Sequence, residues 1–206
     1  MDEPLTPHAG SFAQDMDAWP VRSCTWPGCR PLQDIGVITL RHATDSAAAR
    51  QAIASQGWAW PEATGEMQGD LGLWPAAKGG PLLLRRNTGE VLIFGADASA
   101  QHQLLAALRP GAASDAAAID LSHGMTVIAL EGPRLDEWLA RLVDAAAVPR
   151  EAGRACRTRL VDVAVWLLRL APDLVWLAAD RAVSSYIANW LAFSHEAAFA
   201  AAPAAP

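Results

Sequence analysis

The sequence predicts an α+β protein of two ferredoxin-like β-α-β-β-α units, and three observations lead there. The element order strand, helix, hairpin, helix reads out twice along the chain, and that order is the ferredoxin-like module. Each hairpin enters its helix through an Asp placed as an N-cap, Asp97 and Asp180. The stretch Leu92-Ile93-Phe94-Gly95-Ala96-Asp97 also aligns without a gap on Val175-Trp176-Leu177-Ala178-Ala179-Asp180. The implied organisation is an extended arm over residues 1–34, a first unit over 35–122, a second over 123–196 and a short tail over 197–206.

Residues 153–194 are the most apolar long segment. From Val161 to Leu168 only Asp162 interrupts the apolar run, and Arg169 reads as the first exposed residue after it. Such a run, without polar alternation, predicts a strand buried on both faces. Leu170-Ala171-Pro172-Asp173 supplies a proline-fixed turn, and a second strand returns over 174–178. After Asp180, residues Val183, Tyr186, Ile187, Trp190 and Leu191 fall on one helical face.

The remaining elements follow in order. Residues 1–34 carry Pro4, Pro7, Pro20, Pro27 and Pro31, with Trp19 and Trp26 each before a proline, which disfavours helix. Residues 36–40 read as a strand. Thr44, Asp45 and Ser46 offer caps for an Ala-rich helix stopping at Gly57. Residues 58–80 have no clear period and read as a long Gly/Pro-rich excursion, a length that points to function or an interface. Asn87-Thr88-Gly89 between apolar runs signals a hairpin. Asp97 then caps a helix with Leu104, Leu105 and Leu108 on one face. Strands over 117–121 and 126–130 flank Ser122-His123-Gly124. Gly132-Pro133 opens a helix with proline at its first position, carrying the stripe Leu135, Trp138, Leu139, Leu142, Val143 and Ala146.

Composition excludes several function classes. The chain has 206 residues, 52% of them apolar, and a net charge of −6. That is ample for a core, and the absence of a basic stripe argues against nucleic-acid binding. No run approaches the roughly 18 apolar residues a membrane helix needs. The acidic start MDEPLTPHAG is wrong for a secretory signal, so the expected location is the cytoplasm. Three cysteines, Cys24, Cys29 and Cys156, make no disulfide framework.

Candidate chemistry is sparse. Asp120, Ser122 and His123 have the residue types of a hydrolytic triad. Triad members converge from separate elements, however, so a locally bonded turn is the favoured reading. Cys24, Cys29 and Cys156 with His8 or His42 would supply zinc ligands, but without the tight paired spacing of structural sites. The glycines of Gly69-Asp70-Leu71-Gly72 and Gly79-Gly80 form neither a dinucleotide fingerprint nor a P-loop, so no FAD, NAD or ATP site is readable. Glu62, Glu66 and Asp70 read as solvated. Trp19, Trp26, Trp58, Trp60 and Trp74 lie outside regular elements. They either close the core from the loops or anchor a partner, because Trp is enriched at binding hot spots.

Residues 117–142, AAIDLSHGMTVIALEGPRLDEWLARL, resemble the folate-binding, T-protein (aminomethyltransferase)-like domains: Asp-x-Ser-His, a strand, Gly-Pro, then a leucine-bearing helix. Together with GRACRTRLVDVAVWLLRL and DLVWLAADRAVSSYIANWLAFS, they resemble the gamma subunits of heterotetrameric sarcosine oxidase over residues 35–195. The resemblance implies a small, non-catalytic subunit of an oxidase complex that demethylates sarcosine to glycine. FAD, FMN, NAD, tetrahydrofolate and zinc would lie in the alpha, beta and delta partner subunits, and none in this chain. The T-protein catalytic Asp has no counterpart, since Ala178-Ala179-Asp180-Arg181 reads as a helix cap. Two alternatives stay open: a gamma-type subunit of a related N-methyl amino acid dehydrogenase, and a stand-alone folate-binding aminomethyltransferase-like protein with Asp120 as its test residue.

Overall fold

The computed structural model describes residues 28–32, 35–44, 46–69, 80–109 and 115–199. In chain order these form β1 (Gly28–Pro31), β2 (Val37–His42), α1 (Ala47–Ser55), β3 (Met67–Gln68), β4 (Leu82–Asn87), β5 (Glu90–Phe94) and α2 (Ala98–Ala107). There follow β6 (Ala116–Asp120), β7 (Met125–Glu131), α3 (Leu135–Leu142), β8 (Arg154–Leu160), β9 (Val163–Ala171), β10 (Leu174–Asp180) and α4 (Ser184–Phe199).

The strands make two five-stranded antiparallel sheets, ordered β3-β4-β5-β2-β6 and β1-β7-β10-β9-β8. In the first, β2-α1-β4-β5-α2-β6 has the connectivity and strand order of a ferredoxin-like unit. The second repeats it with β7-α3-β9-β10-α4. Its outer strand is β1, drawn from the other end of the chain and paired antiparallel to β7 from Gly28↔Glu131 to Pro31↔Ile128. Residues 28–31, read from sequence as part of an irregular arm, thus close the second sheet.

Each sheet is apolar on both faces, which dictates the layering. Ile38, Leu40, Leu83, Val91 and Ile93 point outward from the first sheet onto Ala49, Ile53 and Leu104 of α1 and α2. Ile128, Leu130, Leu167, Val175 and Leu177 point outward from the second onto Trp138, Leu139, Ile187 and Leu191 of α3 and α4. The opposite faces meet each other: Val37, Leu84, Leu92 and Phe94 pack with Val127, Leu168, Trp166 and Trp176. Phe94 and Trp176 meet edge-on, ring centroids 6.4 Å apart at 75°. The result is a helix–sheet–sheet–helix stack.

The chain passes between the sheets at the β1–β2 connection and at the turn between β6 and β7. A hydrogen-bonded bridge also joins them in the excursion read as structureless, where β3 pairs with β4 and its N-terminal flank reaches the second sheet. There the Ala155 amide donates to Gly65 O at 2.7 Å and the Met67 amide to Gly153 O at 2.9 Å. Gly65 has φ +79°, and a methyl on it would sit 2.6 Å from Ala155 O, so both conformation and space demand glycine.

Four sequence expectations change in the folded chain. The apolar run read from Val161 to Leu168 opens on a turn and becomes strand at Val163, because Val161 takes φ +52° and with Asp162 forms a two-residue hairpin turn joining β8 to β9. A β-branched residue in that region gives no turn signal in the sequence. The gapless match of β5 with β10 slips by one residue. Leu92 and Phe94 face the other sheet, whereas the residues aligned to them, Val175 and Leu177, face the helices. Side-chain direction alternates along a strand, so matching the faces requires Gly95 (φ +74°) as an extra residue before the Asp97 cap. On α4 the buried face runs through Ile187, Ala188 and Leu191, while Tyr186 and Trp190, one position off, are half-buried. Finally, α3 begins at Leu135 behind Arg134, a left-handed N-cap residue at φ +60°, so Pro133 precedes the helix; Ala146 is exposed.

The largest difference is Arg169, read as exposed and found 1% exposed. Its Nε donates to Pro149 O at 2.9 Å, its Nη1 to Pro172 O at 2.6 Å, and its Nη2 to the Asp136 carboxylate. Three acceptors from α3, the 149 loop and the β9–β10 turn therefore converge on one planar fork, which compensates the burial of the charge. Replacing Arg169 by Leu orphans these acceptors and is expected to cost about 2–4 kcal/mol in urea unfolding. Arg169→Lys should recover less than half, since an ammonium lacks the fork. A loss within roughly 0.5 kcal/mol, the scale of ordinary surface changes, would refute the clamp.

Candidate functional site

The Asp120-Ser122-His123 group sits on the crossing between the sheets and is bonded as a turn. Asp120 Oδ1 accepts from the Ser122 amide at 2.8 Å and from its hydroxyl at 2.6 Å. The same hydroxyl oxygen accepts the Val37 amide at 3.0 Å, and the Leu121 amide donates to Val37 O at 2.8 Å. Arg181 closes the turn from the second sheet, its amide on Gly124 O at 2.9 Å and its guanidinium on Met125 O at 3.1 Å. His123 is exposed. The Ser122 proton is thus committed to Asp120, with no base taking it up, and the trio serves as a strut.

Trp58 and Trp60 both pack partly buried against the helix-side core of the first sheet. Trp60 lies between two guanidinium groups, Arg50 and Arg85, whose Cζ atoms are 5.0 and 5.1 Å from its ring centroid. His42 meets its edge at 5.2 Å. The His42 Nδ1 lies 2.7 Å from Ala43 O and its Nε2 lies 3.2 Å from Arg85 Nη1. A carbonyl only accepts and a guanidinium only donates, so the imidazole is the neutral Nδ1–H tautomer. Glu62 pairs bidentately with Arg50 at 2.8 and 2.9 Å, which holds its carboxyl below the usual carboxylate range. Glu66 folds back onto the amides of Ala63 and Glu62 at 2.8 and 2.9 Å and is lowered chiefly by the first of these bonds. These charges are engaged by neighbours rather than aimed at a common point. Trp19, Trp26, Trp74, Cys24, His8 and Asp70 lie outside the described residues.

The other zinc candidates are held apart. Cys29 on β1 and Cys156 on β8 occupy opposite edges of the second sheet, roughly 19 Å apart across four strand spacings. His42 belongs to the first sheet, and burial pushes the Cys29 thiol far up. Among the described residues no group of three His, Cys, Asp or Glu side chains converges.

Sequence reasoning missed a buried carboxylate. Glu90, on β5, accepts from Thr39 Oγ1 at 2.7 Å, from Arg86 Nη1 at 2.9 Å and from Asn87 Nδ2 at 3.3 Å. Its only sequence signal was the turn it follows. The indole N–H groups of Trp60 and Trp166 are buried with no acceptor among the described residues.

No protein-family model and no curated protein matches the chain. Solved structures do. A chain of the heterotetrameric sarcosine oxidase from Corynebacterium sp. U-96, in complex with pyrrole 2-carboxylate, superposes with TM-score 0.78 and 25% identity over 94% of this chain and 95% of that one. The chain resembles the sarcosine oxidase subunit family. The glycine cleavage aminomethyltransferase T from Bartonella henselae matches with TM-score 0.55 and 14% identity, over 90% of this chain and 49% of that one. The fold is therefore T-protein-like, and the chain spans about half the length of that aminomethyltransferase.

The strut gives a pH signature. Hydrogen bonds from Ser122, side chain first and amide second, hold the Asp120 carboxyl below its ordinary value. A depressed folded-state pKa contributes stability above the unfolded value, near pH ~4, that is lost as pH falls through the lower folded value. Asp120→Asn should therefore flatten the acid limb of the wild-type stability–pH curve and leave its slope near neutrality unchanged, measured by thermal unfolding from pH 2.5 to 7. An unchanged acid limb would show that Asp120 is not held by Ser122.

Proposed function

We propose that this chain is a non-catalytic, gamma-type subunit of a cytoplasmic sarcosine oxidase-type complex, in which it braces the large T-protein-like subunit. The observation that carries the reading is the near end-to-end match with the sarcosine oxidase chain, 94% of one against 95% of the other. In this reading the flavins, NAD, tetrahydrofolate and zinc belong to the alpha, beta and delta partner subunits.

The interior supports a bracing role. A folate-binding domain acting alone needs a cleft between its two units and a carboxylate free to meet a pterin. Here Phe94, Trp166 and Trp176 occupy the space between the sheets. The buried carboxylate, Glu90, already accepts from Thr39, Arg86 and Asn87. Asp120 is likewise taken by Ser122. Among the described residues no helix is long and apolar enough to cross a membrane.

Obligate interfaces of this kind bury upwards of about 2,000 Å². Co-expression with a tagged FAD-binding, T-protein-like large subunit should retain the chain stoichiometrically through size exclusion, while the chain alone shows no sarcosine turnover and poor solubility. A well-behaved monomer that elutes apart from the large subunit would overturn the reading. Tetrahydrofolate binding by the isolated chain, abolished in Asp120→Asn, would favour the stand-alone alternative.

A further inference from the structure

Among the described residues, one edge of the second sheet is covered only in part. On β8 the first residues are capped by the flank of β3, through the Ala155 amide to Gly65 O at 2.7 Å. Beyond this point the chain on the capping side turns away at Ala63 and Thr64, which are exposed. β8 continues for another five residues, paired to β9 without a break from Arg154↔Arg169 to Leu160↔Val163. In an unbroken antiparallel ladder the backbone groups of alternate residues point the same way. Ala155 points away from β9, so the N–H and C=O groups of Arg157 and Arg159 do too. Among the described residues no backbone hydrogen bond reaches them, and only the Cys156 thiol, at 3.5 Å, donates to Arg157 O. The matching position in the first sheet is β3, which is only two residues long, so the overhang belongs to the second sheet alone.

This open edge is also positively charged. Arg157 and Arg159 are exposed and lie on one face of the strand, with Arg154 exposed on the other. Arg159 donates to Asp162 O, and Arg157 has no acidic partner among the described residues. Arginines on an edge strand discourage pairing with neutral or basic strands. They select for a strand that brings carboxylates, because strand addition takes its affinity from the main chain and its specificity from alternate side chains.

We infer that the β8 edge from Arg157 to Arg159 is a docking strand for an extended, carboxylate-bearing segment of the large subunit. The inference rests on the subunit reading above. The incoming segment continues the line that Gly65 to Met67 already follows, and its acidic side chains pair with Arg157 and Arg159.

The test uses the full chain, co-purified with the large subunit. Hydrogen exchange over residues 154–162 should slow by at least about tenfold at Arg157 and Arg159 in the complex relative to the free chain. The double variant Arg157→Glu/Arg159→Glu should weaken retention by at least about tenfold, with a steeper loss in low salt, while Arg141→Glu on α3 should not. Arg157→Pro removes one outward N–H, leaves the β8–β9 ladder whole, and should weaken retention with little change in melting temperature. If the complex forms but Arg157 and Arg159 exchange as fast as in the free chain, the docking strand is refuted and the subunit reading stands. If the wild-type chain forms no complex at all, both fall together.

Discussion

Everything in this molecule follows from two sheets that are each apolar on both faces. A sheet of that kind cannot leave either side in water, so it needs a helical layer on one side and a second apolar surface on the other. The second surface here is the other sheet. Phe94 against Trp176, with Leu84, Leu92, Leu168 and Trp166 around them, is the contact that makes two half-units into one domain. Each such side chain contributes on the order of 1.5–3 kcal/mol when fully buried. The helices on the outside and the crossings at the edges are arranged to keep this middle layer closed.

The internal repeat is a repeat of topology more than of sequence. Both units place a hairpin in the sheet and end it on an aspartate cap: Asp97 holds the Ala100 amide of α2, and Asp180 the Ala182 amide of a 3-10 turn that leads into α4, each at 2.8 Å. They differ at the outer strand. The first unit uses β6, which follows its second helix in the chain, and the second borrows β1 from the opposite end. The chain therefore starts on one sheet, builds the other, and returns. Two devices tie the sheets together, Gly65 where the flank of β3 meets β8 and the Asp120–Ser122 strut on the β6–β7 turn.

Much of this was legible in the sequence because it depends on local chemistry. The Asn87-Thr88-Gly89 turn, the Ser46 and Asp97 caps, and the double-sided apolar run of β9 are set by residues within a few positions of one another. What was not legible depended on faces and partners distant in sequence. Arg169 looks like the polar end of an apolar run until Asp136, 33 positions away, and two carbonyls converge on it. The gapless match of β5 with β10 ignores which way each side chain points, and Gly95 alone corrects it. Val161 gives no turn signal, since a β-branched residue is among the least suited to its conformation.

The candidate site was read from sequence mostly through exclusions, and the geometry explains why so few residues stood out. Polar groups that resemble catalytic pieces are spent on holding the sheets in place: the Ser122 hydroxyl on Asp120, Glu90 on Thr39 and Arg86, Glu62 on Arg50. A side chain whose hydrogen-bonding capacity is used within the fold has little left for a substrate. On the outside, Arg157 and Arg159 present charge and outward backbone groups that no backbone hydrogen bond reaches among the described residues. An edge strand with open backbone groups is a template for pairing with another chain.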